Sequence, residues 1–283
     1  MRAVRGHRRG VRFGFAEDSG SAFTGEELIR YGREIPQATP STHESSVMSR
    51  QIASLLAIAA VTVTLAPAPA SAAPEVDCTQ VKCLALTFDD GPGKYADKLL
   101  DTLKKANAKA TFFLEGQYVK TRPAFAKRMA KEGHELGNHS YKHPNFTDLE
   151  PGAIRNEVKK TQDIIYKTTG VTPKLLRPPY GMADIQVSDV AAEFDMPIVL
   201  WTAGSRDWAT KNADEIKKQT LAVAQRDGII LMHDWVKQTV DVMPSLVKLL
   251  QSRGYTLVTV STLLKSQNLQ PGDIYPVPEG WER

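Results

Sequence analysis

The sequence predicts an α/β fold, an irregular TIM-like barrel of about seven parallel strands, and three observations carry that prediction. β-rich runs alternate with stretches of helical period six times between Cys83 and Val260, as repeated βα units do. Titratable residues recur where those runs end: Asp89 and Asp90 after the first, His139 and His143 after the third, Arg177 at the fourth, Asp207 after the fifth and His233 at the sixth. An open sheet would spread such residues along a line, whereas the C-terminal rim of a barrel gathers them.

Leu84 to Phe88 (LALTF) is an apolar run too short for a helix and opens the sheet. Tyr95 to Ala106 then sets Leu99, Leu100 and Leu103 on one helical face, and Ala110 to Leu114 and Glu135 to Asn138 read as the next two strands. Pro151 to Thr169 is a helix with Ile154, Val158 and Ile165 inward and Gly170 as its C-cap. Lys174 to Arg177, Pro197 to Trp201, Ile229 to His233 and Thr256 to Thr259 complete seven strands. Ser266 to Arg283 carries three prolines and no periodic apolar face, and reads as a tail over the surface.

Ahead of the barrel, Ile52 to Leu65 is apolar and leads through a Pro/Ala-rich run to Ala70-Ser71-Ala72, the pattern of a secretory signal peptide. The apolar stretch is shorter than the roughly 20 residues of a spanning helix, so no stable membrane anchor is expected; an uncleaved anchor is the alternative. A start at Met48 would place this signal at 48–72 and leave 1–47 as an extension outside the working protein. Composition agrees, since positions 1–72 hold eight Arg and no Lys while 73–283 hold 20 Lys and eight Arg. The expected secreted chain, cut after Ala72, has 28 basic and 26 acidic side chains, a net +2 that gives no nucleic-acid surface. It is read as a monomer with one catalytic domain at 73–265 and a tail at 266–283.

Two cysteines exclude a cysteine-built zinc site. In an exported chain Cys78 and Cys83 are expected to form a disulfide before the first strand, worth about 2 kcal/mol on a chain-entropy account, with free thiols as the alternative.

Any metal must therefore use His and carboxylates. Asp89 and Asp90 sit where a strand yields to the Gly91-Pro92 turn, and adjacent side chains diverge, so one can bind a metal while the other accepts a proton from water. A turn-capping Asp pair is the alternative. His139 and His143 are four apart, which on one helical turn puts both imidazoles on one face within reach of one ion; a surface pair is the alternative. Two His and one carboxylate suit zinc, though cobalt, manganese or iron fit similar sites. His134, ahead of the third strand, reads as structural.

The ordered set TFDDGP, HSYKH, RPPYG, RDW and LMH, spread from Cys83 to Leu264, resembles the polysaccharide deacetylase family, carbohydrate esterase family four or NodB homology domain. The resemblance implies a distorted (β/α)7 barrel, a divalent metal, commonly zinc, and removal of acetyl groups from N-acetylglucosamine polymers or acetylated xylan. It implies that Asp90, His139 and His143 hold the metal, that Asp89 is the base and that Arg177 keeps that base ionised. The Tyr180 backbone N–H would face the oxyanion, His233 would be the acid oriented by Asp207, and Trp208 and Leu231 would line the acetyl pocket.

This set suits hydrolysis by metal-activated water, because an amine leaves poorly as an anion and needs an acid opposite the base. One departure stands in the fourth motif, where Gly204 replaces the first acidic residue of the family's Asp-x-x-Asp-Trp. The leading reading is a secreted deacetylase of peptidoglycan or chitin and its oligomers. An acetylxylan esterase on the same site and a non-catalytic glycan-binding wall protein are the alternatives.

Overall fold

The computed structural model describes residues 76–279 and Trp281, so the expected extension 1–47, the start at Met48 and the signal peptide 48–72 lie outside the described residues. Among the described residues no helix is long and apolar enough to cross a membrane. Cys78 is joined by a disulfide to Cys83, the first residue of the first strand.

The chain runs through β1 (Cys83–Gly91), α1 (Ala96–Lys105), β2 (Thr111–Leu114), α2 (Gly116–Thr121), α3 (Pro123–Lys131) and β3 (Glu135–Asn138). It continues through α4 (Pro151–Thr169), α5 (Ile185–Glu193), β4 (Ile198–Val199), β5 (Ala203–Gly204), α6 (Asp207–Thr210) and α7 (Ala213–Val223). It closes with β6 (Gly228–His233), α8 (Lys237–Ser252), β7 (Thr256–Val258), α9 (Val260–Leu263) and β8 (Ile274–Tyr275). Helix α4 matches its expected bounds because its signals are strong: Ile154, Val158 and Ile165 are buried, and Gly170 caps it at φ 76°.

All strand pairs are parallel, in the order β3-β2-β1-β6-β5, with β7 beside the N-terminal part of β1. Leu176 extends the path by bridging Asn138 on one side and Ile198 of β4 on the other. The run β5-β6-β1-β2-β3-Leu176-β4 would put its ends roughly 29 Å apart if flat, at about 4.8 Å per strand. Yet β4 and β5 are joined by Leu200, Trp201 and Thr202, which span at most about 14 Å. The sheet must therefore curl, which is consistent with the distorted barrel expected, and no ladder joins β4 to β5 among the described residues.

Three expectations need correction. Lys174 to Arg177 contributes only the Leu176 bridges, because Pro173, Pro178 and Pro179 leave too few N–H groups and the wrong backbone for a longer strand. Pro197 to Trp201 shortens to β4, and a separate two-residue strand, β5, follows it. The tail does not merely lie on the surface: β8 pairs with β4 on its free side, Ile274 is buried, and Ser188 Oγ donates to Gly272 O at 2.7 Å.

Phe88 of β1 stacks on Phe112 of β2 at 5.3 Å between centroids, and with Leu99, Leu100 and Leu103 of α1 and Leu246 and Leu250 of α8 these residues form the main core. That packing fixes β1, and so fixes what its C-terminal end presents.

Candidate active site

In a regular strand neighbouring side chains face opposite ways. Asp90 leaves that pattern at φ 61°, a left-handed conformation that turns its carboxylate toward the same place as Asp89. The two carboxylates therefore converge rather than diverge: His139 Nε2 lies 3.3 Å from Asp90 Oδ1 and 3.9 Å from Asp89 Oδ2. They still keep separate partners, as different roles require.

The His139-to-His143 segment is not the helical turn that its spacing suggests. Ser140 and His143 both have positive φ (66° and 61°), which no right-handed turn accommodates. The loop is held instead by Ser140 Oγ, which accepts from His143 N–H at 2.9 Å, and by one oxygen of Glu157 on α4, which accepts from Tyr141 and Lys142 N–H at 2.9 and 2.8 Å. The outcome is the one a helix would have given: the imidazoles stand 5.0 Å apart, edge to face, with both Nε2 atoms 3.3 Å from Asp90 Oδ1.

His139 Nδ1 lies 2.6 Å from the Arg177 carbonyl, which places a proton on Nδ1 and turns Nε2 toward Asp90. Burial and the neighbouring His139 push His143 down to about 4, so it stays neutral. Burial pulls His139 down too, but the charges of Asp89 and Asp90 outweigh it and raise its pKa. Asp90 Oδ1 is buried and receives no hydrogen bond. Burial opposes the charged form of Asp90, yet His139 beside it and the imidazoles of His233 and His143 hold its carboxyl well below the usual range. One carboxylate oxygen and two imidazole nitrogens within 4.8 Å of one another form a donor set that fits a divalent ion.

On one side of this cluster lies Asp89, 3% exposed, paired with the fully buried Arg177. Arg177 Nη1 bridges Asp89 Oδ1 and Thr87 Oγ1, both at 2.8 Å, while Nε and Nη2 donate to the carbonyls of Val199 and Leu200. The guanidinium also lies 3.9 Å over the Phe113 ring. Burial lowers its pKa, and the Asp89 charge opposes that shift.

On the other side, His233 ends β6 and its Nδ1 meets Asp207 Oδ1 at 2.8 Å. Asp207 also accepts from Trp208 N, His233 N and Thr239 Oγ1, so both its oxygens are satisfied at zero exposure. Burial works against the charged imidazole, but Asp207 outweighs it and lifts His233 to about 9. Its Nε2 faces the cluster, 3.8 Å from Asp90 Oδ2.

The remaining expected residues surround this line. Tyr180, at φ 61°, sets its ring 4.5 Å from His143, Trp208 is 41% exposed beside Asp207, and half-buried Leu231 pairs in register with Thr87 and Gly204. A Cβ on Gly204 would meet nothing nearer than Arg206 N at 4.0 Å, so nothing in the fold requires glycine there. His134 is structural as expected: its Nδ1 accepts from Ala110 N–H and its ring packs on Phe112.

Three residues near the site were not read from the sequence. Glu157 pins the His loop, Asp234 Oδ2 accepts from Gly93 N–H at 2.7 Å, and Trp235 Nε1 donates to Asp90 Oδ2 at 3.2 Å. The last two directly follow LMH, so a signal was present in their position. Glu157 carried none, because its partners are backbone amides.

Fold and site together define a class: curled parallel α/β proteins with a carboxylate and two imidazoles clustered at the C-terminal rim, flanked by two buried ion pairs. The chain belongs to the polysaccharide deacetylase family, whose model matches residues 76–199. It is 40% identical over 195 residues to the peptidoglycan-N-acetylglucosamine deacetylase PgdA of Listeria monocytogenes, covering 69% of this chain and 41% of that protein, so it spans about two-fifths of that relative's length. A peptidoglycan-N-acetylglucosamine deacetylase of Bacillus cereus is 36% identical over 188 residues, 65% of this chain and 68% of its own. A solved structure described as "T48 deacetylase with substrate" superposes with a TM-score of 0.68 at 40% identity, covering 71% of this chain and 99% of the other.

Proposed function

We propose that this protein is a secreted, metal-dependent polysaccharide deacetylase that hydrolyses N-acetyl groups of N-acetylglucosamine-containing glycan, with cell-wall peptidoglycan as the favoured substrate. The observation that supports this is the line Arg177–Asp89, Asp90 with His139 and His143, then His233–Asp207, which we read as a base, an ion-binding cluster and an acid in sequence across one rim. Relatives named for peptidoglycan deacetylation favour that glycan over chitin or xylan.

A divalent ion held by Asp90, His139 and His143, with zinc as the first choice, supplies Lewis acidity toward a water and the acetyl carbonyl. Asp89 keeps Oδ1 on Arg177 and turns Oδ2 toward the cluster, where it takes the proton of the attacking water. The Tyr180 backbone N–H is assigned to the developing oxyanion. His233, its Nδ1 held by Asp207, delivers the Nε2 proton to the amine as the carbon–nitrogen bond breaks. Water and amide thus become acetic acid, which ionises to acetate on release, and a free amine, with one proton taken by Asp89 and one given by His233. Trp208 and Leu231 are assigned to the acetyl pocket, residues 73–265 to the catalytic domain, and 266–279 to its edge strand.

Acetate release from peptidoglycan, chitooligosaccharides and acetylxylan, measured side by side, tests the proposal. Release from peptidoglycan above the others supports it. Preference for acetylxylan would make the protein an esterase, and glycan binding without release from any substrate would make it a binding protein.

A further inference from the structure

Trp235 follows the candidate acid by two residues, yet its side chain reaches back to the ion-binding cluster. Its indole Nε1–H donates to Asp90 Oδ2 at 3.2 Å, while Asp90 Oδ1 faces both imidazole nitrogens and receives no hydrogen bond. The two oxygens of one carboxylate are thus divided, one given to a fixed donor and the other left to the cluster. The same Oδ2 has a second claimant, His233 Nε2, at 3.8 Å. The indole ring lies 5.6 Å from the His233 ring, tilted by 57°.

The segment that carries the indole is itself anchored. Asp234 is fully buried, its Oδ2 accepts from Gly93 N–H at 2.7 Å, and a Cβ on Gly93 would lie 2.5 Å from the Asp234 backbone. Val236, on the far side, is 2% exposed. The backbone on both sides of Trp235 is therefore fixed against the turn that follows β1 and against the core, and its reach to Asp90 is built into the segment just after β6.

We propose that Trp235 is a positioning residue for the candidate metal ligand Asp90: its indole N–H holds Oδ2, so that Oδ1 alone is offered to the ion and His233 does not close onto the ligand. Three consecutive residues then serve the site, His233 as acid, Asp234 as the tie to the Gly91–Gly93 turn and Trp235 as the donor that orients the ligand. This rests on the reading of Asp90, His139 and His143 as a metal site. Hydrogen bonds to metal ligands typically govern metal affinity by about 10–100-fold.

The test compares the full chain with Trp235→Phe, which keeps a ring against His233 but lacks the donor, and with Trp235→Ala, which lacks both. Zinc dissociation constants from chelator competition are read beside the visible spectrum of the cobalt(II) form and the metal-free melting temperature. Both variants are expected to bind zinc about 10–100-fold more weakly and to give an altered cobalt spectrum, with Trp235→Phe melting as the wild type does. In the unmutated protein the Trp235 indole N–H resonance is expected to shift on zinc binding and to remain protected from exchange, a readout that needs no variant. Wild-type affinity and spectrum in Trp235→Phe would overturn the role of the donor, and weakening in Trp235→Ala alone would reduce Trp235 to packing. A wild-type chain that binds no divalent ion at this cluster would overturn the metal-site reading itself.

Discussion

Two buried ion pairs flank Asp90, and they differ in what their cations can do. Arg177 is an arginine whose Nε, Nη1 and Nη2 all donate inside the barrel, so the Arg177–Asp89 pair is a fixed charge arrangement welded to β1, β4 and the Leu200 carbonyl. His233 is an imidazole, held by Asp207 on one nitrogen and open toward the cluster on the other, so the His233–Asp207 pair carries a proton that can leave. In the proposed reaction the difference gives direction: the side with the immobile cation would keep a base available, and the side with the titratable cation would supply the acid. It also predicts that loss of Arg177 costs stability as well as weakening the base, whereas loss of His233 is felt first in catalysis.

The largest expected effect is on turnover. His233→Ala removes the proposed proton donor and is expected to lower kcat by about 10²–10⁴-fold while zinc affinity stays near wild type. Equal activity in this variant, measured as acetate release, would erase the asymmetry. Arg177→Met strikes the opposite pair: it leaves Asp89 buried without its partner and is expected to cost about 3–5 kcal/mol of stability in denaturant unfolding.

The pH profile sharpens the contrast. His233 is raised to about 9, so the acid stays protonated at neutral pH and activity is expected to fall as pH rises through about 9. Asp207→Asn removes the charge that lifts it, and the basic limb should move down toward the ordinary histidine value near 6.5. By the same linkage the His233–Asp207 pair contributes stability below about 6.5 that is lost as pH passes about 9, visible as a falling metal-free melting temperature.

Away from both pairs, reducing the Cys78–Cys83 disulfide is expected to cost about 2 kcal/mol and leave zinc affinity alone. The smallest effect is expected for Gly204→Asp, where a Cβ would meet nothing nearer than Arg206 N at 4.0 Å. Its stability change should stay within about 0.5 kcal/mol, and a gain of orders of magnitude in turnover would mark the native protein as a weakened enzyme.

Legibility in the sequence followed the length and density of each signal. Helix α4 has several turns of apolar period and a glycine cap, and its bounds agree with the structure. Strands β5 and β8 have two residues each, too few for any period to show, and they exist because β6 and β4 offer unpaired edges. The spacing of His139 and His143 pointed to shared reach, but it suggested a helix where the chain uses two left-handed residues and a Glu157 tie. Convergence of Asp89 and Asp90 was hidden for a related reason: strand alternation predicts divergence, and only the backbone conformation of Asp90 reverses it.

The measurement that bears most directly on the account is acetate release from peptidoglycan by chelator-stripped protein as zinc is titrated back. The account predicts no release from the stripped protein and recovery that saturates at one zinc per chain, abolished together with zinc binding in Asp90→Ala. Release that persists without metal, or full zinc occupancy with no release from any acetylated glycan, would contradict it.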